Sequence, residues 1–223
     1  MATLRDLQNY CRGKSIIIVG NSSRLLNGRY RDLIDRYEVV VRINRGYQND
    51  SEFYAAHIGS RTNILSIGIK SAVGAANIIR ENSLNYILSP VKHSEELLFE
   101  NCYKVEDVAY DILKNELGGF KPSTGIATYN FFNKYIDFRR LDLIGFDFFE
   151  SSTKQRNQFG HTYVPDHHGI KELKYFEKTK DSDKTKLFGM IGGNGPSALN
   201  TRHNMPIINN QRVNKYTFKK IKR

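Results

Sequence analysis

Three stretches of this chain put side chains with chemical uses where a fold can bring them together. Asn21 and Ser22 follow Gly20 directly after an apolar run, and Asn44 ends a second apolar run. Carboxamides at those places offer a donor and an acceptor each, which suits a nucleobase or a ribose. Ser123, Thr124 and Gly125 follow Pro122 at the head of a third apolar stretch. Serine and threonine there cap a helix, and the exposed amides and positive end of that helix also suit a phosphate or carboxylate. His161, His167 and His168 fall within eight residues, with Glu172 just beyond. Imidazole can be neutral near physiological pH and accept a proton, so a general base is sought here. A metal site is one alternative, with His161, His167 and Asp166 as mixed nitrogen and oxygen ligands, but the i, i+4 histidine pair of helical zinc sites is missing. A solvated loop is the other.

The elements that must position these residues are legible in the apolar pattern. Ser15-Ile16-Ile17-Ile18-Val19 reads as a buried strand, broken at Gly20, where glycine allows a tight turn. A polar, partly helical stretch leads to a second strand over 38–43. Strand, turn, helix and strand, with small polar residues at both carboxyl ends, is how open α/β sheets hold nucleotides. Residues 47–56 read as a polar loop, 63–67 as a strand, 71–81 as a helix, 85–89 as a strand and 94–100 as a short helix. Over 105–117, Val105, Val108, Ala109, Ile112, Leu113 and Leu117 recur at helical spacing before Gly118-Gly119. A helix over 126–136 and a strand over 141–144, ending at Gly145, follow. This alternation predicts an α/β fold with a mainly parallel sheet.

The chain has 223 residues, 39% hydrophobic and 12% aromatic, enough for one domain with a sizeable core. Thirty-four Lys and Arg against 23 Asp and Glu give a net charge of +11, which favours an acidic partner or surroundings. Cys11 and Cys102 are too few for a disulfide framework or a structural zinc site and read as reduced thiols. The longest apolar run falls far short of the ~20 residues that span a bilayer. The first residues, MATLRDLQNYCRGK, lack a signal-peptide core, so a cytoplasmic location is expected.

The first block, IVGNS with Ile34-Asp35 and then Arg42-Ile43-Asn44, resembles the long sialylmotif of glycosyltransferase family 29, the eukaryotic-type sialyltransferases. His57 to Thr62 resembles the stretch that follows it in that family. Pro122-Ser123-Thr124-Gly125, an apolar helix and Leu143-Ile144-Gly145-Phe146 resemble the short sialylmotif. His161-Thr162-Tyr163 partly matches motif III, and His167 to Glu172 matches the very short motif, with His168 able to take the place of His167. The resemblance covers residues 14 to about 178. It implies a single Rossmann-like domain over 1–211, a GT-A variant, with a basic tail over 212–223. It also implies metal-independent, inverting transfer of sialic acid or Kdo from a CMP-activated donor to a glycan or glycolipid acceptor. Asn21, Ser22 and Asn44 would then contact the nucleotide. Ser123, Thr124 and Gly125 would hold the donor phosphate or carboxylate, and Gly145 would leave room near the base. His161 would stabilise the departing phosphate and His167, or His168, would be the base. No cofactor beyond the donor is implied. The luminal members' paired cysteines are replaced here by Ile16 and Ile136, which suits a reducing compartment.

The remaining segments are less telling. Residues 178–186 read as a charged linker, and Asp181-Ser182-Asp183 within it is rejected as a metal-binding D-x-D because it lies among lysines. Gly192 to Ser197 resembles a nucleotide loop of family 42 sialyltransferases but follows the last strand, so a tight turn is the better reading. Six of the twelve residues from Arg212 on are basic, interleaved with apolar ones, which admits a peripheral contact with an anionic membrane. A nucleic-acid-binding module is the rival class, motivated by charge and aromatic content. No RNP-type pattern or phosphate-binding loop supports it.

Overall fold

The computed structural model describes residues 2–44, 52–68, 84–90, 101–149 and 168–190, with residues 52 and 53 described by backbone alone. Among the described residues, seven parallel strands form one sheet in the order β5-β4-β3-β2-β1-β6-β7. They are β1 (Ser15–Val19), β2 (Val39–Ile43), β3 (Ile64–Ser66), β4 (Tyr86–Ser89), β5 (Cys102–Lys104), β6 (Arg140–Ile144) and β7 (Thr185–Leu187). The described helices are α1 (Leu4–Cys11), a 3-10 turn (Ser23–Asn27), α2 (Arg31–Asp35), α3 (Glu52–Ile58), α4 (Asp107–Glu116), α5 (Thr124–Tyr135) and α6 (Gly169–Thr179).

The apolar run of β1 is buried on both sides, as a central parallel strand requires. Ile16 and Ile18 join a core with Leu7 and Cys11 of α1, Leu113 of α4, Phe132 of α5 and Phe176 of α6. Ile17 and Val19 face the other way, onto Leu25, Ile34 of α2 and Ile58 of α3. The helices thus cover both faces of the sheet, giving the expected α/β, Rossmann-like architecture.

The chain steps outward from β1 to β5 and then returns to β6 on the far side of β1. Ile16 is in register with Val39 on one side and Leu141 on the other. The strand order therefore reverses between β1 and β6, and the crevice at their carboxyl ends is where such sheets bind ligands.

Several local expectations need correction. Residues 52–56 are helical rather than loop, because Tyr54 and Ile58, one turn apart, both pack on the second core. Strand β5 is only three residues long, too short to show an alternating pattern. In α4 the buried face is Tyr110 and Leu113, continued by Leu117, whereas Val108 and Ile112 are 59% and 48% exposed. The lysine-rich 178–186 stretch is the end of α6, a turn and the start of β7, an edge strand whose lysines protect it from further pairing. Expected helices at 71–81 and 94–100, the Gly192–Ser197 turn and the 212–223 tail lie outside the described residues. Among the described residues, no helix is long and apolar enough to cross a membrane. Cys11 and Cys102 are both free and buried, and burial pushes their thiols up to about 12 and about 11.

Candidate active site

The loops after β1 and β6 are bonded to each other at the switch point. Gly20 N–H donates to the Ile144 carbonyl at 2.7 Å, and Ser22 N–H donates to the Gly145 carbonyl at 3.1 Å. A Cβ on Gly20 would lie 2.3 Å from the Gly145 oxygen, so only glycine lets these backbones approach. Gly145 has φ +79°, a left-handed conformation, and a Cβ there would meet Leu25 Cδ1 at 2.6 Å. Ser22 is buried; its hydroxyl donates to Asp147 Oδ2 at 2.8 Å and accepts from Arg24 N–H at 3.2 Å. That hydroxyl is engaged in building the loop.

Asn21 and Asn44 join three element ends. Asn21 Nδ2 donates to the Ile43 carbonyl at 3.0 Å, tying the β1 loop to the end of β2. Its Oδ1 is shielded from solvent and has no hydrogen-bond partner among the described residues. Asn44 adopts φ +50°, which asparagine tolerates better than most residues. Its Oδ1 accepts from Gly68 N–H at 2.8 Å beyond β3, and its Nδ2 reaches Thr124 Oγ1 at 3.4 Å on α5.

The start of α5 carries a second set of contacts. Ser123 is the N-cap, its Oγ accepting from Ile126 N–H at 3.2 Å. Its own N–H and hydroxyl both donate to the Glu172 carboxylate, each at 2.8 Å. Glu172 is 4% exposed, and burial pushes its carboxyl up to about 7 while the Ser123 hydrogen bonds pull it down. Gly125 is closely packed: a Cβ would lie 2.8 Å from Phe146 Cε1. Thr124 and Gly125 occupy the first turn, where helix amides have no intrahelical acceptor. The start of α6 is drawn to the same rim, since a Cβ on Gly169 would meet the Phe148 carbonyl oxygen at 1.8 Å. His168 is the N-cap of α6, and its ring lies edge-on to Phe120 with centroids 4.7 Å apart.

The network therefore gathers β1, β2, β3, α5, β6 and α6 at one end of the sheet. The sequence model of glycosyltransferase family 29 (sialyltransferase) matches residues 7–139 of this chain. The chain belongs to glycosyltransferase family 29. Within that span lie the Gly20–Asn21 loop, Asn44 and the start of α5. The chain is 46% identical over 50 residues to a beta-1,6-galactosyltransferase of Arabidopsis thaliana, a stretch covering 22% of this chain and 12% of that protein. It is 43% identical over 53 residues to sialyltransferase-like protein 3 of Oryza sativa subsp. indica, covering 24% of this chain and 14% of that protein. Each match spans a small part of the relative's own length. A crystal structure of a mammalian sialyltransferase superposes with TM-score 0.54 at 18% identity, covering 79% of this chain and 69% of that chain, and shares the fold. The family match favours the glycosyltransferase expectation over the nucleic-acid-binding alternative.

Among the candidate family 29 site residues, Asn21, Ser22, Asn44, Ser123, Thr124, Gly125, Gly145 and His168 are described and lie at this rim. His161 and His167 lie outside the described residues. His168 precedes the helix, with φ −117° and ψ 94°. Asp181-Ser182-Asp183 forms a turn at the amino end of β7, with Asp183 N–H bonded to Asp181 Oδ1 at 3.0 Å. In a parallel sheet that is the end opposite the site. Among the described residues, no group of three or more His, Cys, Asp or Glu is placed to hold a metal ion.

Two residues escaped the sequence reading. Glu172 was visible only as the last letter of a motif, and nothing in its spacing announces Ser123 as its partner. Arg42 carried a signal, a charge inside the buried strand VVVRI. It is fully buried, and burial lowers its guanidinium to about 10. Its Nε donates to the Arg61 carbonyl at 2.9 Å and Thr62 Oγ1 at 3.0 Å, and its Nη2 to the Ile58 carbonyl at 2.8 Å. Arg42 thus holds the turn that launches β3 beneath Asn44.

Proposed function

We propose that this chain transfers an ulosonic acid, sialic acid or Kdo, from its CMP-activated donor to a hydroxyl of a glycan or glycolipid. The observation that carries this reading is the Asn21–Asn44–Thr124 network at the β1/β6 switch point. Among the described residues, Asn21 Oδ1 is a shielded acceptor without a partner, and a ligand N–H or O–H, such as a cytosine amino group or a ribose hydroxyl, would satisfy it. The Thr124 and Gly125 amides at the head of α5 would hold the donor phosphate or carboxylate. Ser123 supports this turn through Glu172 and Ile126, and Ser22 supports the loop that carries Asn21. Gly145 keeps the crevice open where Gly20 and Gly145 meet.

The acceptor oxygen attacks the anomeric carbon, the bond from that carbon to the phosphate oxygen breaks, and CMP departs with the electron pair. His167 takes the acceptor proton, with His168 as the alternative base, and His161 stabilises the departing phosphate; these roles are carried over from the family motifs. One displacement inverts the anomeric centre. CMP is a competent leaving group, and the D-x-D triplet lies at the wrong end of the sheet, so the reaction is assigned without a metal. A UDP-galactose donor is the second reading, favoured by the match to a plant galactosyltransferase. Isothermal titration with CMP, CDP and UDP separates the two. Preference for the cytidine nucleotides supports the first reading, and equal or tighter UDP binding overturns it.

A further inference from the structure

We infer that Glu172 is a positioning residue of the donor site whose charge makes donor binding proton-linked: the protonated carboxyl favours the donor anion and the carboxylate opposes it. This rests on the assignment of the α5 head to the donor phosphate or carboxylate. Glu172 projects from α6 and receives both the N–H and the hydroxyl of Ser123 at 2.8 Å, so its carboxyl group lies against the N-cap of α5. A helix head is where negative charge is stabilised. Here an internal acid, 4% exposed, already occupies the flank of that head. A second anion on the Thr124 and Gly125 amides would share the same positive end, in a setting that screens poorly.

Burial, not a neighbouring charge, is the largest influence on this acid and places its titration at about 7. Charged and titratable groups on the surrounding elements include His168 at the N-cap of α6, Lys171 and Tyr175 on α6, Lys121 before α5 and Asp147 after β6. Glu116 at the end of α4 is paired with Lys134 at 3.2 Å. Two hydrogen bonds from Ser123 oppose that shift. An anion arriving at the α5 head raises the proton affinity of Glu172 further, so binding above neutrality draws in a proton. Affinity then falls as pH rises through neutrality.

Glu172→Gln tests this, because a glutamine can accept from Ser123 N–H and donate to Ser123 Oγ while carrying no charge. The full chain and this variant are titrated with CMP at pH 6 and pH 8.5, in buffers of different ionisation enthalpy to count protons. Ionisation of the CMP phosphate itself is common to both proteins and cancels in the comparison. Glu172→Gln is expected to bind about tenfold more tightly than wild type at the higher pH. At the lower pH the two should be nearly equal, and the proton uptake seen in wild type should vanish. Glu172→Ala, which also removes the hydrogen bonds, is expected to bind more weakly than Glu172→Gln at both pH values. Equal binding by wild type and Glu172→Gln at pH 8.5, or a gain of the same size at pH 6, overturns this inference alone. Absence of CMP binding in both proteins overturns the donor-site reading and this inference with it.

Discussion

Replacing Gly20 with alanine tests the switch-point geometry most severely. The added Cβ would lie 2.3 Å from the Gly145 oxygen and 2.7 Å from its carbonyl carbon, and neither is the end of a flexible side chain. The two loops must separate, weakening the Gly20–Ile144 and Ser22–Gly145 hydrogen bonds. Two such bonds are together worth about 2 kcal/mol, and forced overpacking adds roughly 1–3 kcal/mol. A loss of about 4 kcal/mol corresponds to a fall of roughly 10 °C in melting temperature for a domain of this size. Gly119 supplies the control, with φ +85° and no atom within 4 Å of its notional Cβ. Gly119→Ala should cost only the backbone strain, about 1 kcal/mol. Differential scanning fluorimetry reads both, and CMP titration should show the larger loss in Gly20→Ala because Asn21 moves with the loop. A Gly20→Ala protein that melts within about 2 °C of wild type, or no lower than Gly119→Ala, would refute the reasoning.

Burial raises the Glu172 carboxyl from its ordinary 4.5 to about 7, so the folded chain retains a proton that the unfolded chain loses over that interval. The resulting stabilisation is full in acid and lost as pH rises through about 7, by up to ~3 kcal/mol; a melting series against pH should show the decline, and Glu172→Gln should flatten it. His167→Ala should cut donor turnover by ~10² to 10⁴ with CMP affinity nearly intact, and His161→Ala should lower turnover too. If His168→Ala is the dead variant and His167→Ala the active one, the base is His168. Turnover should persist in EDTA; loss of activity restored by manganese or magnesium would contradict the metal-independent assignment.

The sheet was legible because β1 and β2 are rich in β-branched residues, and Gly20 and Gly145 mark where the chain leaves β1 and β6. The head of α5 was legible from Pro122 and its Ser-Thr cap. What the sequence hid depends on packing between distant segments. Strand β5 has too few residues for a period, and β7 is masked by its lysines. The buried face of α4 is displaced from the most apolar positions because Tyr110 turns inward while Val108 and Ile112 face solvent. In the site, the asparagines were readable from their places at strand ends. The engagement of Ser22 with Asp147 and of Ser123 with Glu172 was not, because each pair joins segments far apart in the chain.

Nucleotide release from CMP-sialic acid, CMP-Kdo and UDP-galactose, each incubated with the purified chain and a glycan acceptor, tests the central claim most directly. Acceptor-dependent release of CMP from at least one CMP-sugar, with negligible release of UDP, is the expected result. Release of UDP from UDP-galactose, with both CMP-sugars left intact, would contradict it.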